Sequence, residues 1–191
     1  QIRGLNMATK NANDGLSMLA TVENATNDVT DMLQRIRELA VQAANDTNSL
    51  EDRTFLQTEV NSLLQEINRV ATQTIYNNKV VLDGNLSGDF QVGTEKGQTI
   101  SFAITSIDTD VLGLTDKTGD PTFATGTYVI DADAASDKTG TAGAISILTA
   151  TDATNSLEKI SAALEQVAGN RAVYGALQNR LEYTVSNLMN V

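Results

Sequence analysis

Twenty-four carboxylates, with no histidine and no cysteine, set the chemistry open to this 191-residue chain. Without His it lacks the side chain that most often moves protons near neutral pH. Without Cys it lacks thiol nucleophiles, thiolate metal sites and disulfides. Carboxylate chemistry remains. Asp108 with Asp110, and Asp131 with Asp133 and Asp137, offer oxygens at short spacing, as calcium ligands do. Neither group has the loop glycine and closing Glu of an EF-hand, so solvated loop carboxylates are the better reading and no metal is expected. A pair of acids can also hydrolyse glycosides, but no motif selects two of them and there is no Trp on which a sugar would stack. Neither catalytic residues nor a cofactor are expected, and the chain reads as a non-enzyme. Asn24-Ala25-Thr26, Asn45-Asp46-Thr47 and Asn85-Leu86-Ser87 fit the N-glycosylation pattern, which is frequent by chance.

Recognition chemistry is better represented. Arg35 and Leu39 are four apart and share a helix face, both off the main apolar stripe of that helix, and Glu59 lies off the stripe of the next one. A partly exposed Leu beside an Arg is a composition met in interface hot spots. The plainer alternative is that Leu39 widens the core stripe while Arg35 pairs with Glu38 or Glu59 on a solvated surface.

The elements that must position these residues follow from periodicity. Leu33, Ile36, Ala40 and Ala43 alternate steps of three and four, and the same stripe runs back through Val29, Thr26, Val22, Leu19, Gly15, Ala12 and Ala8 to Leu5. One long helix over residues 1–44 is predicted, with Gly4 and Gly15 each costing about 1 kcal/mol relative to Ala. Asn45 to Ser49 reads as a turn, and Ser49 with Asp52 as a capping box opening a second helix. The stripe of that helix is Leu56, Val60, Leu63, Ile67 and Val70, and the short connection makes it antiparallel to the first. After Thr74 the period changes. Val80, Val81 and Leu82 lead to a turn at Asp83-Gly84, and Phe90 to Val92 with Thr99 to Thr105 makes a β-hairpin whose apolar face is Ile100, Phe102 and Ile104. Residues 106–150, rich in Thr, Asp, Ala and Gly, read as a small β insert or a long loop. Asp152, or Asn155 with Glu158, offers the N-cap of a last helix striped by Ile160, Leu164, Val167, Arg171, Tyr174, Gln178, Leu181, Val185 and Leu188. Neither outer helix has a boundary signal at its chain end, which predicts that both continue in a longer parent as a coiled coil.

Composition supports an elongated bundle. Aromatics are 4% and Trp is absent, so Ala, Leu, Ile and Val do the packing. The net charge of -11 repels phosphate backbones and anionic headgroups, which argues against nucleic acid and membrane surfaces as partners. No apolar run approaches the roughly 20 residues that span a bilayer.

Several long motifs occur in order: NANDG at 11–15, LQRIRELAVQAAN at 33–45, EINRVATQT at 66–74, KVVLDG at 79–84, QVGTEKGQTISF at 91–102 and ALQNRLEYTVSNL at 176–188. Over residues 1 to about 113 and about 155 to 191 the chain resembles bacterial flagellin. The resemblance implies a mainly α fold with a small β part: an elongated antiparallel helical bundle or coiled coil with a packed β-hairpin and a short variable β or loop insertion. Its divisions would be 1–105, the N-terminal part of the helical rod with the hairpin; 106–150, a variable outer insertion; and 151–191, the C-terminal rod helix. One departure is Asn77-Asn78, where many family members have Asn-Gly, which bears on the geometry of that turn. The resemblance further implies a structural subunit of the flagellar filament, assembling with copies of itself for motility. Such a subunit is secreted by the flagellar export apparatus and ends in the flagellum at the cell surface, with an export chaperone and a filament cap as partners of the full-length chain. Lacking the terminal segments that form the innermost coiled coil in flagellins, this stretch is not expected to polymerise alone. Flagellins of many motile bacteria are recognised as monomers by the flagellin-sensing Toll-like receptor, and the matching positions here are Arg35, Leu39 and Glu59. The alternative is a cell-surface adhesin or polysaccharide-binding module on the same scaffold, holding a surface glycan by the insertion or a groove beside the rod.

Overall fold

The computed structural model describes residues 2–115 and 145–189. In chain order the elements are α1 (Ile2–Ala43), α2 (Leu50–Gln73), β1 (Ile75–Tyr76), β2 (Lys79–Val80), β3 (Ser87–Gln91), β4 (Thr99–Ala103) and α3 (Ala150–Met189). At 42 residues α1 is about 63 Å long. Its predicted stripe is the buried one: from Ala8 to Ala43 every stripe residue is buried, and only Leu5 is half-buried.

Side-chain bonds fix how the helices run. Arg35 meets Glu59 and Arg53 meets Ala43, so contacts on α2 recede as those on α1 advance, and the two are antiparallel. Gln57 of α2 binds Ile145 and Ile147, and Ser156 of α3 binds Ser146, which sets the start of α3 beside the first turns of α2. Gln178, near the far end of α3, reaches Glu23. Thus α3 runs back along α1, and this pair forms the most extensive helix packing.

The predicted capping box is present. The Ser49 hydroxyl accepts from the Asp52 amide at 3.1 Å, and the Asp52 carboxylate accepts from the Ser49 amide at 3.0 Å. The Ser49 hydroxyl also donates to the Asp52 carboxylate at 2.7 Å, and this bond, then that from the Ser49 amide, holds the Asp52 carboxyl below its ordinary range. The corner before it is closed by two devices that periodicity does not show. Arg53 donates to the carbonyls of Ala43 and Asn45 at 2.8 and 3.1 Å, and Asn48 donates to the Gln42 carbonyl at 2.6 Å, covering the Ala43 carbonyl and adding a second donor to the other two at the end of α1.

Three expectations are corrected. On α2 the predicted stripe is buried at Val60, Ile67 and Val70, but at its other two positions the seam lies one residue over: Gln57 and Leu64 are buried, whereas Leu56 and Leu63 are half-buried. The cause is a second packing partner. Ile107, Leu112, Leu114, Ile145 and Ile147 are all buried, so both described ends of the 106–150 segment belong to the core instead of standing outside it. There the Thr109 amide donates to the Asn68 side chain at 2.9 Å, and the Ile145 amide donates to the Leu114 carbonyl at 3.1 Å. Finally, α3 is capped by Thr149, not by Asp152 or Asn155. Its hydroxyl accepts from the Asp152 amide at 3.0 Å and donates to the Asp152 carboxylate at 2.6 Å. Residues 116–144, the middle of the expected β insert or loop, lie outside the described residues.

Two antiparallel hairpins follow α2. The small one, β1–β2, was not read from the sequence. Its two loop residues, Asn77 and Asn78, have φ of 48° and 62°, the mirror-image turn whose twist matches paired strands. Asn tolerates this region, so replacing the usual Gly leaves the geometry intact. The larger hairpin pairs Phe90 with Ile100 and Gly88 with Phe102, and Ile100 and Ile104 are buried as predicted.

This hairpin lies on the first half of α1, and the two glycines there are the reason it can. A Cβ on Gly15 would stand 2.9 Å from a ring carbon of Phe90, and one on Gly4 would stand 2.7 Å from the Thr94 methyl. The Phe90 ring is stacked on Phe102 with centroids 4.3 Å apart, so it cannot swing away. Gly15→Ala is therefore expected to destabilise the fold by about 1–2 kcal/mol, because overpacking outweighs the gain in helix propensity. Gly4→Ala, facing an exposed and rotatable Thr94, is expected to be neutral or stabilising by up to about 1 kcal/mol. Urea denaturation of the two variants checks this opposite sign.

At its far end the hairpin is tied to α3, where the Thr105 amide donates to the buried Tyr174 hydroxyl at 3.1 Å. Burial pushes the Tyr174 phenol above its ordinary value, with the Thr105 bond opposing. A folded-state value above the unfolded one means that this contribution to stability is full below about pH 10 and is lost as pH rises through the folded value. Melting temperatures measured from about pH 9 to 11 should fall less steeply in Tyr174→Phe than in the unmodified chain.

Candidate interaction surface

Arg35 and Glu59 are brought together as the sequence suggests. The Arg35 Nε donates to Glu59 Oε1 at 2.8 Å, and its Nη1 donates to Glu38 Oε2 at 3.0 Å. The bond to Glu59, then that to Glu38, raises the pKa of the guanidinium further. All three side chains stay about half-exposed, so this is a solvated charge cluster bridging α1 and α2.

Leu39 does not share that surface. It is 1% exposed and belongs to the core, so it widens the apolar stripe and lies beneath the charges, not beside them. The reason is helical geometry: Leu39 directly precedes the buried Ala40 and follows the buried Ile36 by three, within the arc that α2 covers. The exposed apolar residue here is Val41, at 56% exposure, which sequence reading missed. With Gln34, Arg37 and Glu38 it lines a shallow depression on the outer side of α1. Spacing gave a signal for it, since positions 34, 37, 38 and 41 form one helical stripe opposite the core.

A second depression lies where the hairpin meets α1, between Asp14, Met18, Tyr76, Asp89 and Phe90. The Tyr76 hydroxyl donates to the Asp14 carbonyl at 3.2 Å and Asn11 donates to the Gln91 carbonyl at 3.1 Å, so its walls are held together by the chain itself.

The acidic candidates resolve differently. The two Asp108 oxygens are occupied, accepting from the Val111 amide at 2.8 Å and the Ser106 hydroxyl at 2.8 Å, the arrangement of a turn cap. Asp110 is exposed. Among the described residues no three acids gather as metal ligands would. Asp131, Asp133 and Asp137 lie outside the described residues.

A long three-helix rod, braced by a hairpin set into glycine notches and carrying a charged ridge over an apolar seam, defines an elongated helical-bundle protein. The family described as bacterial flagellin N-terminal helical region matches residues 1–87. Flagellin of Halalkalibacterium halodurans is 35% identical over 191 residues, covering 100% of this chain and 61% of the relative. Flagellin of Bacillus subtilis is 38% identical over 202 residues, covering 98% of this chain and 64% of the relative. The crystal structure of Bacillus cereus flagellin aligns with a TM-score of 0.69 at 25% identity, covering 94% of this chain and 88% of that one. The chain belongs to the bacterial flagellin family. It spans about three fifths of the length of these two curated relatives.

Proposed function

We propose that this chain is the rod portion of a structural, non-catalytic subunit of the bacterial flagellar filament, secreted and assembled at the cell surface. The observation that carries the reading is the continuous buried seam from Ala8 to Ala43, apolar except at Thr26 and packed most extensively against α3, in a chain matched over its full length by a flagellin. Helical rods of this kind polymerise when one head-to-tail contact repeats without closing. In the full-length protein, filaments seen by electron microscopy are the expected result. A full-length chain that stays monomeric under conditions where relatives polymerise overturns it. Export chaperone and filament cap enter as partners of the same full-length chain.

The second part of the reading is recognition of the monomer by the flagellin-sensing Toll-like receptor. The motif match at 33–45 and the exposed Arg35–Glu59 pair support it. Leu39 enters only from beneath, by fixing the helix that carries Arg35. Arg35→Ala and Glu59→Ala are each expected to weaken receptor signalling by more than tenfold while leaving the melting temperature unchanged, since exposed pairs contribute little to stability. Unchanged signalling in both removes the proposal.

No feature of the described residues favours the adhesin or polysaccharide-binding alternative. Its direct test is glycan binding with 116–144 replaced by a short linker. Deletion of all of 106–150 would also remove the buried Ile107, Leu114, Ile145 and Ile147.

A further inference from the structure

The outward side of α3 carries a second stripe. Gly169, Ala172, Val173 and Ala176, bracketed by Glu165 and Arg180, are all exposed and fall within about 50° of one line along the helix. That line lies opposite the buried seam of Ile160, Ala163, Val167, Tyr174 and Leu181. Val173 is 55% exposed. From 166 to 179 the only charge is Arg171, which is half-buried, so the stripe is uncharged between its two ends.

The glycine is the informative residue. Gly4 and Gly15 have partners in this chain that fill the space of the missing Cβ, but among the described residues a Cβ on Gly169 would meet nothing within 4 Å. An exposed Gly in a helix interior costs about 1 kcal/mol relative to Ala, and no packing contact among the described residues requires this one. What it permits is close approach by something outside the chain.

We propose that this face binds a second copy of the chain, α3 against α3 and antiparallel, about a twofold axis between Ala172 and Val173. The charges select this occupant. Glu165 and Arg180 stand at equal distances from that axis with opposite sign, and neither has an ion-pair partner among the described residues. An antiparallel pair sets Glu165 against Arg180 of the partner subunit, twice. The same axis sets Gly169 against Ala176 of the partner subunit. Tyr183, 74% exposed, then falls on Ala162 of the partner subunit. Such self-complementarity is the mark of an isologous interface. A parallel pair would place like charges side by side. The stripe from 162 to 183 is about 33 Å long, and a contact of that size covers roughly half of the 800 Å² per partner typical of stable complexes, so the dimer is reversible. The inference concerns the unassembled chain and does not rest on the filament reading.

Sedimentation equilibrium on the folded chain, with circular dichroism as a control for folding, tests it. The mass is expected to rise from 20.3 kDa toward twice that value as concentration approaches about 1 mM. Glu165→Arg or Arg180→Glu alone should weaken association at least tenfold, and the double exchange should restore it. Gly169→Gln should raise the melting temperature, by better helix propensity, and yet abolish the dimer, an opposition that loss of folding cannot imitate. A mass that stays at one chain throughout, a dimer indifferent to Gly169→Gln, or a double exchange that fails to restore what the single reversals remove would each overturn the proposal.

Discussion

Replacing Gln57 by leucine is expected to destabilise the fold by about 2–5 kcal/mol, although the new side chain is apolar and of similar size. The site is 4% exposed, and the amide works as a substitute strand for a segment that has none. Its Oε1 accepts from the Ile147 amide at 2.7 Å, and its Nε2 donates to the Ile145 carbonyl at 3.2 Å and to Asn61 at 3.0 Å. Leucine leaves a buried N–H and a buried carbonyl without this partner, and water cannot replace it without opening the core. Hydrogen exchange should accelerate first at 145–149, because these residues are held to α2 through Gln57. A variant as stable as the unmodified chain, with slow exchange at 145–149, would show that the segment is anchored by apolar contact alone.

Leu39→Ala is expected to cost about 2–5 kcal/mol, the range for removing a fully buried leucine. The residue is 1% exposed and lies in the same core as Leu33, Ile36 and Leu64. This changes how a receptor assay reads. Loss of signalling in Leu39→Ala reports a loosened α1 as readily as a lost contact, whereas Arg35→Ala and Glu59→Ala report the surface. Leu39→Met separates the two meanings: it keeps the volume, should cost less than about 1.5 kcal/mol, and should retain most of the signal if Leu39 acts from beneath. Denaturation midpoints measured beside signalling distinguish these outcomes.

Much of the fold is legible in the residues. The α1 stripe, the Ser49–Asp52 capping box and the alternation of Ile100, Phe102 and Ile104 are local patterns whose period or chemistry admits one structure, and each is found where it was placed. What was not legible involves residues far apart in sequence. Gly15 reads as a weak point in a helix until Phe90 is seen above it, 75 positions later. Gln57 reads as a solvated polar residue until Ile147 is seen against it, 90 positions later. The interaction surface divides in the same way. That Arg35 and Glu59 would meet follows from two antiparallel helices and a short turn. That Leu39 is covered depends on the width of the arc α2 closes over, which no single helix states.

The sequence alone determined the rod: periodic apolar residues, alanine-rich and nearly free of aromatics, can bury themselves only against other helices, and a five-residue polar corner sends the second helix back along the first. Tertiary structure alone decided which surface remains for partners. Exposure is a property of what lies on top, and here a hairpin, both ends of the 106–150 segment and the flank of α2 cover Gly15, Gln57 and Leu39 while leaving Val41 and the outer stripe of α3 open.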